Sequence, residues 1–142
     1  MKTLQDAADY YLLQLRAGDF ESAFHGLTDL DPAVVRPLIA AHRVERSPEV
    51  RNKILRIVAE FRTPTALPLL DEVVRDRRGD QWKVALDGLV SLASVEAASA
   101  LESVLREETS ATERDSEYLE WVSEALEQIQ QTIISRTRPT GA

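Results

Sequence analysis

The chain has 142 residues, 44% of them hydrophobic and 29% charged, with no cysteine and a net charge of −7. That balance fits one soluble domain with a real core, excludes a disulfide framework, thiol chemistry and a Cys-based zinc site, and leaves no apolar run near the ~20 residues a bilayer span needs. An acidic chain is repelled by phosphate backbones, so neither nucleic acid nor a membrane is expected as a partner.

The opening stretch, MKTLQDAADYY, puts two aspartates where a signal peptide would place its apolar run, so a cytoplasmic location is expected. The charge is unevenly spread. Eight acids and one base lie between Glu107 and Glu127, and the remainder carries 16 acids and 16 bases.

In chain order, the first apolar series at helical spacing is Leu4, Ala7, Ala8, Tyr11, Leu12 and Leu15, followed after Gly18 by Phe20, Ala23, Phe24 and Leu27. Asp31-Pro32, Ser47-Pro48 and Thr63-Pro64 each place a side-chain acceptor at an N-cap and a proline at the first helical position. Ser94 can cap a further helix, and Gly79 marks a break. The expectation is eight helices over roughly 3–16, 19–29, 32–45, 48–61, 64–77, 80–93, 95–108 and 113–136, with no strand.

A period of 31 residues runs through these helices. Phe24, Leu55 and Leu86 align at that step, as do Leu27, Val58 and Leu89; Leu30, Phe61 and Leu92; Val35, Ala66 and Ala97; and Ile39, Leu70 and Leu101. One helical hairpin cannot bury its apolar face alone, whereas stacked copies share a continuous core. The expected fold class is therefore all-α, a short α-solenoid.

The segment VRNKILRIVAEFRTPTALPLLDEVVRD, from Val50 to Asp76, resembles a HEAT repeat of the short bacterial type in Val50-Arg51, Phe61, Pro64, Ala66-Leu67-Pro68, Leu70 and Asp76. A third copy, QWKVALDGLVSLASVEAASALESVLRE, departs from the pattern at Trp82 and at Ser94-Val95, and the first copy departs further. The resemblance implies a right-handed solenoid of about three hairpins in one domain, 1–142. It would comprise an N-terminal cap and first repeat helix (1–31), a repeat core (32–108), a C-terminal capping helix (109–136) and a tail (137–142).

Candidate chemistry is sparse. His42 shares a column with Val73 and Val104, which is a core position, and His25 shares one with Arg56 and Asp87, which is a surface position. The two histidines fit no metal-ligand spacing, and no phosphate-cradling or nucleophile motif occurs, so no metal, cofactor or catalytic residue is expected. Gly26 and Gly88 fall inside helices, where close packing would explain them. The RDRRGD stretch, Arg75 to Asp80, is too short and too mixed with aspartate to read nucleic acid. Asp71 and Arg75, like Glu102 and Arg106, are four apart, and the two pairs align at the 31 step. They read as repeated ion pairs on second helices, or as a charged row forming a second candidate surface.

The last helix is the most informative. At about 100° per residue, Tyr118, Val122, Ala125, Leu126, Ile129 and Ile133 form a core stripe. Glu113, Glu117, Glu120, Glu124 and Glu127 share the opposite face, and Trp121 borders them. The plain reading is a solvated face. The sharper one is a binding surface in which Trp121 is the anchor and Glu117, Glu120 and Glu124 form its rim. WKVALDGLVSLASVEA together with EYLEWVSEALEQI looks like small stand-alone bacterial HEAT proteins, some of which accompany polymorphic toxins. That resemblance implies a non-enzymatic immunity protein whose partner is a basic toxin domain, nuclease domains included. The alternatives are a generic HEAT scaffold or adaptor, and a HEAT-like enzyme subunit such as a bilin lyase-type chaperone.

Overall fold

The computed structural model describes residues 3–109 and 116–137. The described residues are helical, without a strand: α1 (Leu4–Arg16), α2 (Phe20–Thr28), α3 (Val35–Val44), α4 (Pro48–Glu60), α5 (Leu67–Arg75), α6 (Gln81–Leu92), α7 (Val95–Thr109) and α8 (Ser116–Thr137). The chain divides into two compact units, Met1–Leu69 and Leu70–Ala142, with the division inside α5.

The helix starts follow from the caps. The side chains of Thr3, Asp19 and Ser47 accept from the backbone N–H three residues on, those of Asp6, Ser22 and Val50 respectively. Asp31 and Thr63 act differently: each accepts from the N–H two residues on, at 2.8 and 3.4 Å, and the chain enters through a 3-10 turn, Pro32–Val34 or Pro64–Ala66, before the α-helix begins. A second proline explains the difference. Pro37 and Pro68 cannot donate to the carbonyls four residues back, so the first turn tightens where an unbroken α-helix was expected from 32 and from 64. α4 has no second proline and is α-helical from Pro48 onward.

Helix ends also differ in detail from the expectation. α5 stops at Arg75, two residues short, and α7 runs to Thr109, so that residue belongs to α7 and not to the C-terminal helix. α8 extends through Thr137. Glu113, Arg114 and Asp115 lie outside the described residues, as does the tail beyond Thr137.

In the first unit, α1 packs on α2, and α3 on α4, around Ala8, Leu15, Leu27, Leu38, Ile54 and Val58, all essentially without exposure. His42 is 1% exposed, in keeping with its core column. Gly18 makes the α1–α2 turn with φ of 96°, a backbone that side chains resist. Gly26 permits a close approach: a Cβ there would overlap the ring of Tyr11 across the α1–α2 contact. In the second unit, α8 packs on both α6 and α7; of the expected stripe Tyr118, Val122, Ala125 and Ile129 are buried, whereas Leu126 and Ile133 are half-buried.

The 31-residue register survives in local conformation. Arg62 and Ala93, one period apart, each follow a helix in the left-handed region with φ of 49°. The residue after each is the cap of the next turn: Thr63 receives Thr65 N–H, and Ser94 receives Ala97 N–H at 3.0 Å. Of the five aligned columns, Leu27, Val58 and Leu89 are buried, as are Val35, Ala66 and Ala97 and Ile39, Leu70 and Leu101. Phe24 is only half-buried, as is the whole column of Leu30, Phe61 and Leu92, at or just beyond the ends of their helices.

Backbone geometry sets the expected outcome of three substitutions. Gly26→Ala should destabilise by about 1–3 kcal/mol in denaturant unfolding, because the overlap with Tyr11 outweighs alanine's better helix propensity. Arg62→Gly should stabilise by about 1 kcal/mol, since Arg62 is exposed and only the left-handed backbone is relieved. Ala93→Gly should gain less, because it also empties a buried methyl site.

Candidate functional site

The site is built on α6 and α8, within the second unit. Tyr118, 1% exposed, lies at the start of α8. Its hydroxyl donates to the Val74 carbonyl at 2.7 Å, which satisfies one of the carbonyls that the C-terminus of α5 leaves without an intrahelical donor. The Arg77 guanidinium sits 4.6 Å from the Tyr118 ring centre. Trp82 packs edge-on against Tyr118 at 5.0 Å, and Trp121 packs edge-on against Trp82 at 5.8 Å. Trp82 is 8% exposed and Trp121 is 40% exposed, so the series runs from sealed core to open surface.

Lys83 caps this end of the site, its ammonium 5.1 Å from the Trp121 ring centre and 5.5 Å from that of Trp82. Beyond Trp121, a groove of about 290 Å³ opens between α6 and α8. Leu86 and Val90 line one side, Ala125 is its small floor, and Asp87, Glu124 and Gln128 are polar lining residues. It continues along α8 into a second depression shared by Val90, Glu124 and Gln128 and extended by Glu127, Gln131 and Thr132.

Glu117, Glu120, Trp121, Glu124 and Glu127 are all exposed on α8, where the helical period places them. Among the described residues, none of these four glutamates has an ion-pair partner. Glu113, the fifth of the expected face, is outside the described residues. The acidic stretch is thus not uniform: Glu107 pairs with Arg75, and Glu108 pairs with Arg77 at 3.0 Å.

The second candidate surface comes out differently. Arg75 donates to Asp71 at 3.1 Å, as its spacing implied, but it also reaches Glu107 on α7. Burial opposes the Arg75 charge, yet the Asp71 and Glu107 carboxylates outweigh it and raise its pKa above the usual value. Glu102 and Arg106 are exposed on α7. The arginines of the RDRRGD stretch are paired, Arg75 and Arg77 with Glu107 and Glu108 of α7 and Arg78 with Asp76 at 2.9 Å.

Sequence reasoning missed Trp82, Lys83, Asp87 and Val90 as parts of the site. Trp82 stood out only as a departure from the repeat pattern at its arginine position. Asp87 shared the exposed column of His25 and Arg56, and nothing in its spacing tied it to α8.

Burial pushes the Tyr118 hydroxyl up to about 12, against the pull of the Arg77 cation. In the unfolded chain it ionises near 10. The neutral hydroxyl therefore contributes stability that is complete below about pH 10 and is lost as pH rises toward 12. Tyr118→Phe should cost about 1–3 kcal/mol at neutral pH, because the Val74 carbonyl loses its donor. The variant should also lose stability less steeply than the parent between about pH 10 and 12, as read by denaturant unfolding at each pH.

Comparison of the chain with family models, with curated proteins and with solved structures gave no match.

Proposed function

We propose that the chain is a non-enzymatic protein-binding module that captures a basic protein through Trp121 and the acidic face of α8. The observation that carries this reading is the state of Trp121: 40% exposed, seated edge-on against Trp82, and flanked on its own helix by glutamates without ion-pair partners among the described residues. An aromatic side chain already held at its base loses little freedom on binding, which is what an interface anchor requires. Glutamates three and four residues apart repel one another and weaken the helix by about 0.2–0.5 kcal/mol per pair. A cationic partner would relieve that repulsion, and the same charges would steer its approach.

On the architectural side, the proposal is a short right-handed α-solenoid of HEAT type. It is supported by the 31-residue apolar columns, by the matching left-handed turns at Arg62 and Ala93, and by the matching caps at Thr63 and Ser94. The most specific form of the functional proposal is an immunity-type inhibitor whose carboxylates take the place of phosphates in the cleft of a basic toxin domain. Its supports are the concentration of acid on α8 and the resemblance of the α6 and α8 sequences to stand-alone bacterial HEAT proteins. The row formed by Asp71, Arg75, Glu102 and Arg106 is less suited to capture, because Arg75 already bridges two carboxylates.

The test is capture on the immobilised full chain from a lysate of the native organism, with variants as controls. The expected partner is rich in Lys and Arg and is released by salt. Trp121→Ala should cost about 2 kcal/mol or more of affinity, mainly through faster dissociation. Glu117→Lys combined with Glu124→Lys should slow association, with an effect that shrinks as salt rises. Both variants leave the core stripe intact and should stay folded, although Trp121→Ala gives up the edge-on contact with Trp82 and should lower stability by about 0.5–1.5 kcal/mol. A partner that is acidic, or one retained equally by both folded variants, would overturn the proposal.

A further inference from the structure

The groove between α6 and α8 has a definite shape, and that shape constrains its occupant. Along α8 it runs from Trp121 to Thr132, which at 1.5 Å per residue is about 16 Å, or three helical turns. Its length is set by side chains one turn apart: Trp121, Ala125, Gln128 and Thr132 on α8, and Leu86 and Val90 on α6. Ala125 is the smallest of the α8 residues that line it. A methyl group between the indole of Trp121 and the longer Gln128 leaves a dip, and Ala125 is only 6% exposed at its base. Carboxylates come from both helices, Asp87 from α6 and Glu124 and Glu127 from α8. The cation near the site, Lys83, is at the tryptophan end.

The walls belong to two α-helices, whose interior backbone groups bond along the helix itself. An extended peptide docks by adding a strand to a sheet edge, and the described residues contain no strand. A helix brings its own backbone hydrogen bonds and needs only side-chain contacts from the groove. An apolar stripe at i, i+4 and i+7 would match the spacing of Trp121, Ala125 and Gln128, and flanking lysines or arginines would meet carboxylates on both sides.

We infer that the α6–α8 groove receives a basic amphipathic helix of the partner, about three turns long, with an apolar stripe against Val90 and Trp121 and cations facing Asp87, Glu124 and Glu127. This rests on the α8 face being the capture surface and adds the form of what is captured.

The probe is a synthetic helical peptide of about four turns, with leucines at i, i+4 and i+7 and lysines on both flanks. Two controls accompany it: the same peptide with glutamate for lysine, and the basic peptide interrupted by a central proline. Each is titrated into ¹⁵N-labelled full chain. The basic helix should shift the Trp121 indole resonance and the amides of 86–90 and 121–132. Both controls should bind at least about tenfold more weakly. Glu124→Lys with Gln128→Lys, both at exposed positions, should weaken the basic helix to a similar degree while the spectrum stays that of the folded chain.

Equal binding of the proline-interrupted peptide would overturn the helical occupant. Shifts confined to the separate depression around Phe20, Phe24, His25 and Arg56 would overturn the location. Absence of shifts at millimolar basic peptide would overturn both. A captured protein that depends on Trp121 while the basic helix fails here would leave the capture proposal standing and remove only the helix. Groove binding by the peptide without any Trp121-dependent capture would do the reverse.

Discussion

The candidate site depends on the contact between Tyr118 and Trp82. Tyr118 is sealed, hydrogen-bonded to the end of α5, overlaid by Arg77 and packed edge-on against Trp82. Trp82 in turn is the seat of Trp121. Edge-to-face aromatic pairs add about 0.5–1.5 kcal/mol to the burial of the rings themselves, and they orient what they bury. The phenol's hydrogen bond thus ties the first turn of α8 to the end of α5. Trp121 stays half-open because its neighbour fills the inner side and not the outer one. The same placement aligns α8 with α6 and produces the groove.

Charge in the second unit separates into two kinds. Arg75 and Arg77 consume Glu107 and Glu108, and Asp71 and Asp76 hold Arg75 and Arg78. Such partly exposed pairs contribute little individually, but they neutralise the basic stretch between α5 and α6. Glu117, Glu120, Glu124 and Glu127 have no such partners among the described residues. The local excess of acid therefore collects beside the exposed tryptophan.

Much of this was legible one-dimensionally. Leu27, Val58 and Leu89, like His42, Val73 and Val104 of another repeat column, are buried because helical periodicity assigns each a face irrespective of what covers it. Thr63, Ser47 and Asp31 cap because a side-chain acceptor and the next free N–H are neighbours in sequence. The 3-10 turns before Val35 and Leu67 were equally available from Pro37 and Pro68, whose missing donors act four residues back, but proline at the first position suggested an unbroken helix.

The sequence by itself determined the helices, their caps, the buried columns and the exposed acidic face with Trp121 at its border, because all of these depend on neighbours within one or two turns. Tertiary structure alone decided that Tyr118 would reach Val74 across 44 residues and Arg75 would reach Glu107 across 32. It also decided that Trp82 would lie under Trp121, and that Asp87 and Val90 would share a groove with Glu124. These meetings are fixed by how far apart and at what rotation α6, α7 and α8 pack. That is set by the volumes of side chains such as Ala125 and Tyr118 acting together, and no spacing along the chain encodes it.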